Sequence, residues 1–460
     1  MIGVIHKASE RETVEEFFQL FKTAWETFEP GRGYDVVLIG TDDPAPADAR
    51  LVIREPRLFE EIRGLLAKGQ SLQDALIPSL DVRINKLRET ILKAGIPLIE
   101  IPPTPAGYAF TVCLTHDIDF VGIRQHKLDH TMWGFLYRST AGAMLDLVRG
   151  KIGFGKLLRI WAAAAKLPFV YLGLAKDFWD AFEWYLKVED GIPATYFLIP
   201  FKRRAGEKVT SAHASRRATA YDVTDIPESV ARLRQRGCEA GVHGIDAWHS
   251  MEKGREERTR VKSAVGIRMH WLLADESTPR VLEEAGYSYD STVGYNETIG
   301  FRAGTTQVYL PPGNRKLLEL PMHIQDGALF FPGRLGLSES AAWALCEQVI
   351  DCAQQHGGVL TVLWHDRSHG PERFWGEFYV RLVERLKTLN VWFASGQQAV
   401  EWFRARREVS FSGGELAHDG EEINPPLRVR VHANGNSRDV AWSGGGKLNV
   451  GAAEEAVLAK

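Results

Sequence analysis

The chain has 460 residues, of which 45% are hydrophobic and 25% are charged, and its formal net charge is -3. This balance is typical of a globular protein of two or three domains, and the net charge implies no strongly basic surface overall, so nucleic acid is a poor default partner. The four cysteines form no Cys-x-x-Cys pair. Neither a disulfide framework nor a thiolate zinc site is therefore indicated.

Two parts of the sequence bear on localisation: the first residues and the most apolar window. Residues 1–7 lack the basic and then apolar layout of a secretory signal. Residues 161–175 are the most apolar window, but Lys166 and Pro168 interrupt it and it is too short to cross a bilayer. We therefore expect a cytoplasmic protein, either free or peripheral to the inner membrane.

Residues 1–105 have the pattern of a small N-terminal α/β domain. Residues 34–40 form an apolar run that ends in glycine, which predicts a strand, and helical patterns cover residues 10–28 and 58–68. The proline-rich segment 102–105 predicts a stiff linker and the first domain boundary.

Residues 106–408 alternate between apolar runs and helical patterns. The predicted strands cover residues 110–115, 194–200, 238–243, 266–270, 288–292, 317–322, 359–365 and 391–395. About seven to eight strands separated by helices favour an α/β fold, a distorted parallel (β/α) barrel. Such barrels gather their active sites at the carboxyl ends of the strands.

Two further segments accompany the predicted barrel. Residues 124–175 form a helical insertion in which aromatic and aliphatic residues alternate with lysines and arginines. This pattern fits a surface that lies on a membrane or binds a lipid-linked substrate, but it fits a helical cap over the barrel mouth with a solvated basic edge better. Residues 409–460 are rich in turns and contain an alternating run at 427–431, so we expect a short β-rich tail.

Asp117 and Asp119 directly follow a predicted buried strand, with Ile118 between them. Buried carboxylates are costly unless they are paired, and a bound cation satisfies one of them while it leaves the other free as a base. The alternative is a solvated loop. A catalytic zinc-type site needs about three protein ligands and an open position. Histidines at the ends of other predicted strands could supply the remaining ligands, although any single one is more often structural.

The ordered set of motifs resembles the polysaccharide deacetylase family, also known as carbohydrate esterase family 4. The resemblance covers residues 108 to about 405 and rests on the segment 115–119 (Thr-His-Asp-Ile-Asp), His243, the strand that carries Arg268, and the Trp364-His365 pair. The Asp-x-Asp spacing is that of a variant of the family. The resemblance implies a divalent metal, most commonly Zn²⁺, and hydrolysis of an N-acetyl or similar acyl group on a sugar.

The resemblance also implies a role for individual residues. Asp117 corresponds to the catalytic base and Asp119 to the metal-ligand aspartate. His243 corresponds to the first metal histidine, Arg268 to the arginine that orients the base, and His365 to the general acid. Asp290 corresponds to the acidic residue that tunes this acid.

The second metal histidine has two candidates, because position 247, where the family places it, is alanine. His249 lies in a predicted loop and His270 at the end of a predicted strand. We favour His270, because a strand end fixes a ligand better than a loop does. Three further residues are expected to contact the substrate, with a simple turn as the alternative for the first two: Arg302, Gly304 and Trp364.

These observations predict a metal-dependent deacylase. A cytoplasmic position favours a nucleotide- or lipid-linked sugar intermediate of surface polysaccharide biosynthesis over an extracellular polymer. Two alternatives stay open at this point. One is a non-catalytic glycan-binding protein on the same scaffold. The other is a related metal hydrolase, such as a deformylase or an amidase.

Overall fold

The structure is a computed structural model that describes residues 1–44, 49–150, 152–412 and 414–450. Its N-terminal unit is a four-stranded parallel sheet, in the order β2-β1-β3-β4, whose helices share one apolar core with it. The elements of this unit are β1 (Ile2–Ile5), α1 (Arg11–Phe21), β2 (Trp25–Thr27), β3 (Val36–Ile39), β4 (Leu51–Arg54), α2 (Leu58–Lys68), α3 (Ser79–Lys93) and β5 (Leu98–Glu100).

One N-terminal prediction is wrong. The predicted helix over residues 10–28 ends at Phe21, and residues 25–27 form the edge strand β2. The backbone leaves the helical region at Lys22, where φ is 28°. Pairing of β2 with β1 therefore outweighs the continuing apolar pattern.

The central sheet confirms the predicted distorted parallel (β/α) barrel. All of its strand pairs are parallel, in the order β11-β10-β9-β8-β7-β6-β13-β12, with β14 beside β6. Within the described residues β11 and β12 do not pair, so the barrel is open there. The strands are β6 (Phe110–Ile118), β7 (Ala194–Leu198), β8 (Glu239–Gly244), β9 (Gly266–Met269), β10 (Tyr289–Asp290), β11 (Leu318–Glu319), β12 (Ile324–Gln325), β13 (Val359–Leu363) and β14 (Val391–Phe393).

Helices surround this sheet and connect most of its strands, as is usual for parallel sheets that are buried on both faces. They are α4 (His130–Tyr137), α5 (Ala143–Val148), α6 (Phe154–Tyr171), α7 (Phe182–Val188), α8 (Ser211–Arg217), α9 (Pro227–Gln235), α10 (Met251–Arg260), α11 (Thr278–Ala285), α12 (Asp326–Phe330), α13 (Glu339–His356), α14 (Trp375–Lys387) and α15 (Gly396–Glu408).

The predicted insertion is helical, since α4, α5 and α6 fall within it. A π-helical turn, Arg138–Gly142, joins α4 to α5. Among the residues described, no helix combines the length and the apolar character that crossing a membrane requires.

The C-terminal region is rich in strands, as predicted, as far as residue 450; residues 451–460 lie outside the described residues. It contains β15 (Ser410–Ser412), β16 (Glu415–His418), β17 (Leu427–Ala433), β18 (Asn436–Trp442) and β19 (Gly446–Asn449). These strands form two antiparallel sheets, β15-β16-β19 and β18-β17-β5. The second sheet therefore joins the N-terminal unit to the tail.

The N-terminal unit is fixed to the barrel by buried polar contacts. The guanidinium of Arg406 on α15, which is 1% exposed, donates to the carbonyl oxygens of Ile101 (2.6 Å), Gln19 (2.8 Å) and Leu20 (3.1 Å). The proline-rich segment 102–105, predicted as a linker, is buried as well. It is packed against the barrel, because the Gly358 amide donates to the Pro103 carbonyl at 3.1 Å.

Candidate metal centre and active site

Three potential metal ligands converge at the carboxyl ends of β6, β8 and β9. Asp119 Oδ1 lies 3.4 Å from His243 Nε2 and 3.3 Å from His270 Nε2. All three ligand atoms lie within 4.8 Å of one another. The ends of the strands meet at one edge of the sheet, because β6, β7, β8 and β9 are neighbours and run in parallel.

The geometry of these three side chains fits a metal ion. Bond lengths of about 2.0–2.1 Å and tetrahedral angles place zinc ligands roughly 3.3–3.4 Å apart, which is the separation of Asp119 Oδ1 from both imidazoles. Asp119 Oδ1 is buried and has no hydrogen-bond partner among the described residues. Such an atom is costly unless another group satisfies it. His243 Nδ1 lies 3.0 Å from the Arg268 carbonyl oxygen, which leaves Nε2 free as a ligand.

The charge states also suit a metal centre. Burial holds the pKa of His270 well below its ordinary value, so its imidazole is neutral, as a metal ligand must be. Burial alone raises the pKa of Asp119, but the nearby His270 and His243 outweigh that effect and hold the pKa below its ordinary value. Asp119 is therefore a carboxylate at neutral pH.

Asp117 lies beside this group and is held by Arg268. Arg268 Nη1 donates to Asp117 Oδ1 at 3.0 Å, while Asp117 Oδ2 lies 3.9 Å from His243 Nε2. Arg268 is fully buried and is itself fixed by Thr115 and Ser291. One oxygen of Asp117 is thus anchored, and the other lies near His243, one of the three candidate ligands.

His365 follows β13 and is paired with a carboxylate that the sequence analysis missed. His365 Nδ1 lies 2.6 Å from Asp326 Oδ1, and the His365 amide donates to Asp326 Oδ2 at 2.9 Å. Burial alone lowers the pKa of His365, but the Asp326 carboxylate outweighs that effect and raises the pKa to about 9. His365 is therefore an imidazolium at neutral pH, which can donate a proton.

The strand ends that carry Asp117 and His365 are neighbours. Leu363 on β13 pairs with Thr115 on β6, so the two functional residues follow at equivalent positions. Asp366 ties these ends together, because its carboxylate accepts hydrogen bonds from the backbone amides of Asp119 (3.2 Å) and Phe120 (3.1 Å).

Two residues predicted near the site have other partners in the structure. His249 is not part of the convergent group, and its Nε2 contacts Asp246 Oδ1 at 3.2 Å in the loop after β8. Asp290 accepts a hydrogen bond from Thr292 Oγ1 at 2.5 Å. Burial raises the pKa of Asp290 to about 6. The contact with the proposed acid that the resemblance implied for Asp290 is made by Asp326 instead.

The three residues expected at the substrate are also placed differently. Trp364 is fully buried and stacks on Phe378, so it contacts the core of the barrel. Arg302 and Gly304 face the N-terminal unit: their carbonyl oxygens accept hydrogen bonds from the amides of Gln70 and Leu80, each at 2.8 Å. The predicted substrate contact of Trp364 is wrong, because its side chain is enclosed in the core. The substrate contacts expected of Arg302 and Gly304 stay predictions.

Comparisons with known proteins give matches among solved structures. No protein-family model and no curated protein matches the chain. A protein from Mycobacterium smegmatis assigned as a polysaccharide deacetylase is 20% identical, with 67% of this chain and 96% of that chain covered and a TM-score of 0.40. One from Pseudomonas aeruginosa, assigned likewise, is 15% identical, with 68% and 97% covered and a TM-score of 0.38. An allantoinase is 14% identical, with 65% and 92% covered and a TM-score of 0.37.

Proposed function

We propose that the protein is a metal-dependent hydrolase that removes an N-acetyl or similar acyl group from a sugar. The observation that carries this proposal is the convergence of Asp119, His243 and His270 beside an arginine-held carboxylate. A histidine held by a carboxylate lies at the adjacent strand end. The set contains a ligand group, a base and an acid, which amide hydrolysis requires.

Asp119, His243 and His270 would hold the metal ion, and one carboxylate with two imidazoles is a donor set that suits Zn²⁺. When bound, such an ion polarises the acyl carbonyl and lowers the pKa of water to about 7. With three protein ligands, a position is left for water or substrate.

Asp117 is the proposed general base. Arg268 holds its Oδ1 at 3.0 Å, so Oδ2 is the oxygen that can take a proton from the attacking water. Orienting one oxygen in this way fixes the direction in which the proton is accepted.

His365 is the proposed general acid. Its Nδ1 is engaged by Asp326, so Nε2 is the atom that can donate a proton to the leaving nitrogen. Expulsion of an amine from an amide needs this proton, because an unprotonated nitrogen is a poor leaving group. The raised pKa of His365 keeps the proton in place at neutral pH.

The substrate class is proposed from the resemblance of the motifs. We propose a nucleotide- or lipid-linked sugar of surface polysaccharide biosynthesis, handled by a cytoplasmic protein peripheral to the inner membrane. A glycan-binding protein without activity would have no use for the held pairs Asp117–Arg268 and His365–Asp326. A deformylase or an amidase would use the same groups, so a substrate screen must separate these activities.

Elemental analysis and acyl release test the proposal together. Asp119→Ala should lose both bound metal and activity, whereas Asp117→Asn should keep the metal and lose turnover, because only the base is removed. Asp351→Asn, at an exposed carboxylate on α13, is the matched control and should behave as the unmodified protein. Release of acetate or formate from N-acylated sugars and nucleotide sugars gives the turnover. Retained turnover in Asp117→Asn contradicts the assignment of the base.

A further inference from the structure

The helical insertion, residues 124–175, exposes an unusual number of apolar side chains. Of the 18 large hydrophobic side chains that are exposed in the described residues, 12 lie in this segment. They are Leu128, Trp133, Tyr137, Met144, Leu145, Val148, Phe154, Leu158, Trp161, Phe169, Leu172 and Leu174. Such a concentration of exposed apolar side chains on one segment is typical of a surface that binds an apolar partner, such as a membrane or another protein.

Helix α6 shows that these side chains form a continuous stripe. Phe154, Leu158, Trp161, Phe169 and Leu172 are exposed, and their spacings of three, four and eight residues place them on one helical face. The other side of α6 packs against the protein through a separate set of buried residues, namely Leu157, Ile160, Leu167 and Val170. The helix therefore has two apolar faces, and only one of them packs against the part of the chain that the structure describes.

The charge of the insertion points to the nature of the missing partner. Residues 124–175 contain eight Lys and Arg but only two Asp and Glu, a net charge of +6, although the whole chain carries -3. Lys127, Arg149 and Lys166 are exposed and form no ion pair among the described residues. A partner that offers both an apolar interior and a negative surface matches this combination.

The position of the insertion relates it to the candidate active site. It leaves the barrel directly after β6, the strand that ends beside Asp119. Asp177, just after the insertion, is linked to its start, because the Asp177 carboxylate accepts hydrogen bonds from the amides of Ile123 and Arg124, each at 3.1 Å. The apolar stripe is thus attached at the edge of the barrel where the proposed chemistry takes place.

We propose that residues 124–175 are a membrane-binding surface that docks on an anionic lipid bilayer. The apolar side chains enter the boundary of the acyl chains, while the lysines and arginines contact lipid phosphates. The exposed side chains of Trp133, Tyr137 and Trp161 fit such docking, because Trp and Tyr are enriched at the interface between membrane and water. A second copy of the chain is a poorer occupant, since two faces of +6 repel each other. The docking does not depend on the proposed hydrolase activity.

Vesicle flotation of the full-length protein, without substrate, tests this docking. The protein should float with vesicles of phosphatidylglycerol and phosphatidylcholine, bind vesicles of phosphatidylcholine alone more weakly, and dissociate from the anionic vesicles as salt is raised. The triple variant Phe154→Ser, Leu158→Ser and Phe169→Ser should lose at least about tenfold in partitioning. The triple variant Lys127→Gln, Arg149→Gln and Lys166→Gln should show a comparable loss on anionic vesicles only.

A matched control distinguishes the effect of losing the stripe from the effect of losing exposed apolar side chains elsewhere on the protein. Leu72→Ser, Ile77→Ser and Val82→Ser alter three equally exposed side chains of the N-terminal unit and should leave flotation unchanged. Absence of flotation, or equal losses in the stripe and control variants, overturns the proposal. A dimer that forms without lipid and is abolished by the stripe variant overturns it as well. Asp119→Ala should float normally, so a failure of the proposed chemistry remains distinguishable.

Discussion

Replacing Asp326 by Asn tests the proposed acid through its carboxylate partner. Asp326 is fully buried, and both of its oxygens engage the His365 residue, one at the ring and one at the backbone amide. Asparagine keeps the shape and removes the charge. The variant therefore asks whether the negative charge of Asp326 keeps His365 protonated at neutral pH.

The expected magnitude follows from the pKa of His365. Asp326 is the main cause that raises this pKa from 6.5 to about 9, against the lowering effect of burial. A pKa difference of one corresponds to ~1.4 kcal/mol, so the imidazolium is favoured by roughly 3 kcal/mol. Without the charge, burial should bring the pKa to its ordinary value or below. The proportion of protonated His365 at pH 8 should then fall by more than about tenfold.

The pH dependence of kcat/KM is the assay. Activity that requires the imidazolium declines as pH rises through the pKa, so the alkaline limb should move to lower pH by about two units in Asp326→Asn. Asp290→Asn is the matched control, since Asp290 is a buried carboxylate that contacts Thr292 rather than His365. An alkaline limb that stays in place in Asp326→Asn, or moves equally in Asp290→Asn, refutes the reasoning.

Three further predictions have defined outcomes. His270→Ala should lose stoichiometric metal in elemental analysis, whereas His249→Ala should keep it. Arg268→Met should lower kcat by roughly 10²-fold with metal retained, because the base loses its anchor; an unchanged kcat contradicts this. Arg406→Leu should lower the free energy of unfolding in urea by about 2–4 kcal/mol, because three buried carbonyls lose their donor. The control Arg63→Leu, at an exposed arginine, should change the free energy of unfolding by no more than ~0.5 kcal/mol.

The sequence was sufficient for those features that are encoded locally. A fully buried parallel strand is a short apolar run, and β6, β7 and β13 were found from such runs. Asp326 could not be found in this way. The strand that precedes it, β12, has only two residues, and Asp326 contacts His365 across 39 positions of the chain. A two-residue strand has no periodicity, so only the fold brings this carboxylate to the proposed acid.

Trp364 shows a second limit of local reasoning. It is expected at the substrate, and it precedes His365 in the chain, but successive side chains of an extended segment point to opposite sides. His365 can face the site only if Trp364 faces away, and Trp364 is accordingly buried against Phe378. Adjacency along an extended chain therefore argues against a shared site, whereas a separation of two residues, as in Asp117 and Asp119, favours one.

The choice between His249 and His270 depends on the register of the sheet. His243 pairs with Arg268 across β8 and β9, and His270 lies two residues beyond Arg268. Since alternate residues of a strand share a side, this register directs Arg268 towards Asp117 and carries His270 to the neighbourhood of His243. His249 is nearer to His243 in sequence, yet the loop after β8 turns it towards Asp246. The proposed metal centre thus belongs to three strands in register, and it should tolerate changes in the loop that carries His249.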